Sequence, residues 1–235
     1  MTGSRGPRLA MNRKLLGCLV GLTLCVGSPI ASLAGSEESS AVELDLGFRA
    51  DVLSNVRGGR SQGTSTIGLF DLKADIDLYK SAAGSQTRAF VNVLHHVGGF
   101  PNAHHTGSLT GVSNIEVLRN TTRFYRLWVE HEVPVAGLRH GLLLGLLPLE
   151  DEFFTMESAG NLIHPTGGPQ GDLALTRGPA IYPNASFGLR WKTRDTDRGW
   201  YGMAAVLDGI AGSPTNPRAT HPFRFVKGHG THLTV

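Results

Sequence analysis

No cysteine follows Cys25 in this 235-residue chain. Cys18 and Cys25 both fall in an apolar N-terminal stretch, so the rest of the chain has no disulfide framework and no thiolate for a metal or redox centre. Long apolar runs are also missing. The longest, from Leu15 to Val26, is too short for a transmembrane helix, which needs about 20 residues. Charged residues make up 17%, too few for a charged disordered tail or a coiled coil. What is abundant is glycine, at 31 residues, roughly 13% against a usual ~7%.

Residues 1–34 have the build of a secretory leader. Arg5, Arg8, Arg13 and Lys14 form a basic start, Leu15–Val26 an apolar centre, and Ser32-Leu33-Ala34 a small-residue cleavage site. Removing them takes away four of the 22 Lys and Arg and none of the 19 Asp and Glu, leaving 18 against 19. The basic isoelectric point therefore belongs to the leader and gives no reason to expect nucleic acid as a partner. The expected division is a signal peptide over 1–34 and one domain over 35–235.

The domain alternates with period two, as strands do and helices do not. In Thr122–His131, Tyr125, Leu127 and Val129 fall on one side, and Arg126, Trp128 and Glu130 on the other. The same pattern sets Leu44, Leu46, Phe48, Ala50 and Val52 against Glu43, Asp45, Arg49 and Asp51. It sets Leu72, Ala74, Ile76 and Leu78 against Asp71, Lys73, Asp75 and Asp77, and Ala89, Val91 and Val93 against Arg88, Phe90, Asn92 and His96. Further strands are expected near 138–147 and 184–193. Another spans 200–208, with Tyr201, Met203, Ala205 and Leu207 on its apolar side, and a weak last strand begins near Phe223.

The connections alternate in length. Residues 54–65, 98–121, 149–183 and 209–222 are long; 80–86, 134–137 and 194–199 are short. A meander with one rim of long loops and one of short turns is the pattern of outer-membrane barrels, whose strands are apolar outside and polar inside. In lipid such a sheet has to be closed, because unpaired backbone groups there cost several kcal/mol each. A secreted or surface β-protein of sandwich type shares the alternation, but its apolar side packs on a second layer. The expected fold is all-β: a transmembrane antiparallel up-and-down β-barrel, present as about seven to eight strands of a larger barrel.

Several pieces resemble the carbohydrate-selective porins, the OprB family of Gram-negative outer membranes. They are Gly111-Val-Ser-Asn-Ile-Glu116, Thr122-Arg-Phe-Tyr-Arg-Leu-Trp-Val-Glu-His131, Gly145-Leu-Leu-Pro-Leu-Glu-Asp-Glu-Phe153, Ile181-Tyr-Pro-Asn-Ala-Ser-Phe-Gly-Leu189 and Gly202-Met-Ala-Ala-Val-Leu-Asp-Gly209. They occur in the family's order. The resemblance implies an outer-membrane barrel of about sixteen strands, inward-folding loops that narrow the channel, and passive diffusion of sugars. Outer-membrane lipid and a homotrimer are the partners it implies. With half the family's strands and no aromatic residue in the tail that ends at Val235, the chain is expected to be the N-terminal half of such a protein.

A sugar channel needs aromatic rings for the apolar faces of pyranoses and charged groups for their hydroxyls. On the expected inner side the candidates are Arg49, Asp51, Asp75, Arg88, Arg126, Trp128, Glu130 and Arg190. Arg126, Trp128 and Glu130 stand at i, i+2 and i+4 of one strand and point into one space. The 149–183 loop, with Glu150, Asp151, Glu152 and Asn161, is expected to fold inward. No cofactor and no metal are expected: His95 and His96 point to opposite faces, and His104 and His105 lack a supporting carboxylate spacing. The enzymatic rival is a lipid-hydrolysing barrel, which needs Ser, His and an orienting acid together. His131 and Ser186 are present, but no nucleophile elbow and no Ser beside a His are expected, so the chain reads as a channel and not as an enzyme.

Overall fold

The computed structural model describes residues 42–155, 162–165, 173, 178, 180–212 and 223–235, together with the backbone of residues 19–26. Nine strands form one antiparallel sheet in chain order. They are β1 (Leu19–Val26), β2 (Val42–Asn55), β3 (Gly63–Lys80), β4 (Gln86–Gly98), β5 (Thr122–Val135), β6 (Leu138–Leu147), β7 (Ser186–Arg194), β8 (Tyr201–Asp208) and β9 (Thr231–Thr234). Seven of them, β2 to β8, fall where alternation places them, with ends displaced by a few residues. The final strand is shorter and later than expected, and the apolar stretch Leu19–Val26 adds a strand by pairing with the second half of β2. Among the described residues β1 and β9 are the sheet's two edges and do not pair with each other.

The tight connections all lie on one rim. Ala136 and Gly137 both have positive φ, +52° and +80°, the two-residue hairpin turn whose twist matches the strands it joins. β2 to β6 are each at least ten residues long, enough to cross a hydrocarbon layer when tilted.

The two faces differ as the alternation requires. Leu44, Leu46, Phe70, Leu72, Val129, Leu142, Leu144 and Trp191 are exposed. Leu46 pairs with Leu72, Val129 with Leu144, and Leu142 with Trp191, so these residues form rows. Among the described residues no second layer covers them. Such exposure fits a barrel wall; in a sandwich the apolar face would be the core. The opposite face carries the charges and receives the long loops.

Two expectations about facing are corrected. A bulge between Asn92 and Val93 sets Asn92 opposite Arg126 but Val93 opposite Phe124, which leaves Tyr125 as the extra residue of β5. Tyr125 therefore joins the polar face, 4% exposed, instead of the apolar side with Leu127. In β8, Ala205 pairs with Arg190 and Met203 with Lys192. Ala205 and Leu207 are thus buried on the polar face with Leu149 and Ala180. The pattern misled because the loop that covers this face is itself apolar at Leu149 and Ala180.

Near the long-loop rim the polar face turns apolar. Leu53, Ile67, Leu69 and Leu94 are buried there against Val112 and Ile115 of the 99–121 segment and Ala185. That segment, which includes a helical turn at Asn102–Thr106, closes this end of the sheet.

Candidate functional site

The centre of the polar face is where residues 149–155 come down onto β5, β6 and β7. A single turn, Leu149–Asp151, is seated by Leu149, which is fully buried with Phe153 and Phe154 packed beside it. Leu149 N–H donates to Ala180 O at 2.7 Å, which ties the outgoing limb of the loop to the returning one. The turn then presents three consecutive carboxylates, and each meets a different partner.

Glu150 accepts the Tyr125 hydroxyl and the Tyr182 N–H, the latter at 2.8 and 3.0 Å. Burial pushes its carboxyl up to about 7. Asp151 takes both arms of the Arg126 guanidinium. Burial raises its carboxyl too, against the opposing pull of Arg126. Glu152 bonds Arg190 Nε at 2.7 Å and Lys192 Nζ at 3.2 Å.

The wall beneath is a charge ladder that crosses four strands. Lys73 lies 2.9 Å from Asp45 and 3.5 Å from Asp71. Asn92, fully buried, donates to Asp71 and accepts from Arg126 at 3.3 Å. Arg126 then reaches Asp151. A second group joins Arg190 to Glu130 at 2.8 Å, across β6. The glycines of β6 make this possible. A Cβ on Gly141 would lie 2.7 Å from Glu130 Oε1, and one on Gly145 2.2 Å from Leu127 O and 2.7 Å from Trp128 Cβ. Glu132 spans the same strand to Arg194 at 2.9 Å and also pairs with Arg139.

Trp128 stacks on Phe90 with ring centroids 5.3 Å apart and 22° between planes. It lines a small cavity with Leu143, Asp151, Glu152, Phe153 and Arg190. Of the residues expected in the site, Arg126, Trp128, Glu130 and Arg190 thus converge, with Arg190 only 5% exposed. Asp75 and Arg88 form their own ion pair nearer the short-turn rim. Arg49 is exposed. Asp51 is 2% exposed and accepts the Ser113 hydroxyl at 2.6 Å, so it sits beneath the 99–121 segment, away from the others. Asn161 lies outside the described residues. Tyr125, Tyr182, His96 and Lys192 belong to the constellation though none is among the expected site residues; alternation puts His96 and Lys192 on the polar side but misses Tyr125 and Tyr182. A bulge and a loop carry the first two, and neither has a period to read.

One expectation about catalysis is overturned. Ser61 stands beside His105, Oγ to Nδ1 3.0 Å, within Gly59-Arg-Ser-Gln-Gly63, which matches the Gly-x-Ser-x-Gly pattern. The setting differs from a nucleophile elbow, which turns from strand into helix: here the loop joins β2 to β3. The Ser61 hydroxyl donates to His104 O at 2.8 Å, which leaves its oxygen to accept from the ring. A catalytic histidine must do the reverse and take the proton. No bond or ion pair from an acid to His105 occurs among the described residues.

An up-and-down antiparallel sheet, apolar and exposed on one face and charged on the other, is compatible with part of a barrel. The model of the carbohydrate-selective porin, OprB family, matches residues 61–235, about three quarters of the chain, and the protein belongs to that family. It is a family of channels and not of enzymes. No curated protein and no solved structure matches the chain.

Proposed function

We propose that the chain builds part of a channel wall in the Gram-negative outer membrane, through which mono- and oligosaccharides diffuse down their gradients. Residues 1–34 direct export, and the β2 edge, once free of the leader, is a seam that further strands close. Family membership supports the sugar preference. The observation that carries the reading is the docking of Asp151 and Glu152 on Arg126 and Arg190 beside the Phe90–Trp128 stack. It sets aromatic and charged groups side by side on the wall, as weak, releasing sugar contacts require.

The channel-lining candidates then divide by exposure. Trp128, Arg126, Glu130, Asp75, Arg88 and Arg49 face the permeating solute; Asp51 and Arg190 hold the wall in shape. Closure by additional strands, and assembly of a homotrimer in lipid, complete the proposed particle. The test is reconstitution of the protein in a planar bilayer. Stepwise conductance that falls and saturates with added glucose or maltooligosaccharide is expected. Channels indifferent to both sugars, or no channels from protein with heat-modifiable gel mobility, overturn it.

A further inference from the structure

The acidic turn is held by more than its ion pairs. The Arg126–Asp151 pair is about a quarter exposed on both sides, and water competes well for such groups. The bonds of Glu150 are of another kind. Tyr125, displaced inward by the bulge, is nearly fully buried and gives its hydroxyl to Glu150. Its ring meets Tyr182 edge-on at 5.6 Å. The Tyr182 hydroxyl reaches His96 Nε2 at 2.7 Å, and His96 is itself buried on β4. The Tyr182 N–H closes the circuit onto Glu150. β4, β5 and both limbs of the 148–185 loop therefore meet in one hydrogen-bonded cluster, in which Tyr125 and His96 are buried and Glu150 and Tyr182 half-buried.

We propose that His96, Tyr125, Glu150 and Tyr182 form a latch that positions the acidic turn against the wall, and that Tyr125 and Glu150 are its positioning residues. Resting on the channel reading, this makes them determinants of pore width and selectivity although neither faces the solute. The physical reason is cooperativity. Losing Glu150 leaves the buried Tyr125 hydroxyl and the Tyr182 N–H without their acceptor, whereas losing one partner of a wall ion pair leaves the other within reach of water. A turn released from the latch swings on Leu149 and unseats Phe153.

The test uses the full chain with Cys18→Ala and Cys25→Ala, which removes every native thiol. Phe153→Cys then reports docking through its reaction with a membrane-impermeant maleimide. Tyr125→Phe and Glu150→Ala are expected to speed labelling about tenfold, the effect of losing one buried bond on a local opening equilibrium. Glu150→Gln, which keeps an acceptor oxygen, is expected to restore slow labelling. In the cysteine-free chain the same two variants are expected to broaden the open-channel current, and Glu150→Gln is expected to leave it narrow. Labelling and current noise unchanged in Glu150→Ala overturn the latch while leaving a sugar-sensitive conductance intact. Loss of that conductance already in the parent protein overturns the channel reading instead. Unchanged heat-modifiable mobility in each variant shows that the barrel wall itself has formed.

Discussion

Asp151 forks onto Arg126 with both carboxylate oxygens, joining a loop to a strand 25 residues earlier in the chain. The same guanidinium holds Asn92 on the neighbouring strand, so one side chain fixes the loop and extends the ladder of the wall. Removing it leaves Asp151 and Asn92 without that partner. Arg126→Ala is expected to lower stability by about 1–3 kcal/mol, below the value for a fully buried pair because water reaches this one. Urea unfolding in detergent measures it. Asp151→Asn in the same background should add little, since the two changes remove one interaction.

Trp128 offers the aromatic surface of the site, backed by Phe90. Trp128→Ala is expected to weaken glucose block of conductance about fivefold, in line with about 1 kcal/mol for an aromatic contact. Single-channel current at increasing sugar concentration reads the change. Unaltered block would move the sugar contact away from this strand.

Glu150 makes the latch respond to acidity. Its folded value of about 7 lies above its ordinary 4.5 because burial outweighs the bonds from Tyr125 and Tyr182. Asp151 beside it pushes the same way, and Arg126 on β5 opposes. The docked turn therefore holds the proton more tightly than the released turn does. Docking is strongest below 4.5 and weakens as the pH rises through about 7. Open-channel noise is expected to be lower at pH 5.5 than at pH 8, a roughly one-unit bracket on either side of that value. Glu150→Gln is expected to abolish the difference.

The apolar face supplies a test that separates lipid from water. Leu144 is 50% exposed between Val129 and Leu189. Leu144→Arg is expected to cost about 2–4 kcal/mol if that face meets the middle of a bilayer. The folded fraction in vesicles, read as heat-modifiable mobility, should fall sharply. A surface that faced water would accept the arginine without loss.

Gly145 tests the backbone beneath the aromatic stack. It holds φ at +151°, and a methyl group there would sit 2.2 Å from Leu127 O and 2.5 Å from Trp128 Cα. Gly145→Ala is expected to cost about 3 kcal/mol or more, as backbone must move to relieve the clash. Gly141→Ala meets the movable ends of Glu130 and, in ordinary contact, Arg190 and should cost about 1 kcal/mol. Unfolding midpoints of the two variants measure the contrast.

The local sequence by itself determined the strands β2 to β8, their order and the face on which most charges stand. Period two is a property of each strand alone, and short turns force neighbours to pair. It also marked Arg126, Trp128 and Glu130 as sharing a space, since i, i+2 and i+4 share a face. Only the tertiary structure decided that Tyr125 turns inward, because the extra residue of a bulge is defined by its partner strand. The inward set of β8 was likewise hidden, since Ala205 and Leu207 look the same whether lipid or Leu149 covers them. The assignment of Glu150, Asp151 and Glu152 to Tyr125, Arg126 and Arg190 was settled in space as well. A loop has no period, and the side chains that meet across it are 25 to 38 residues apart.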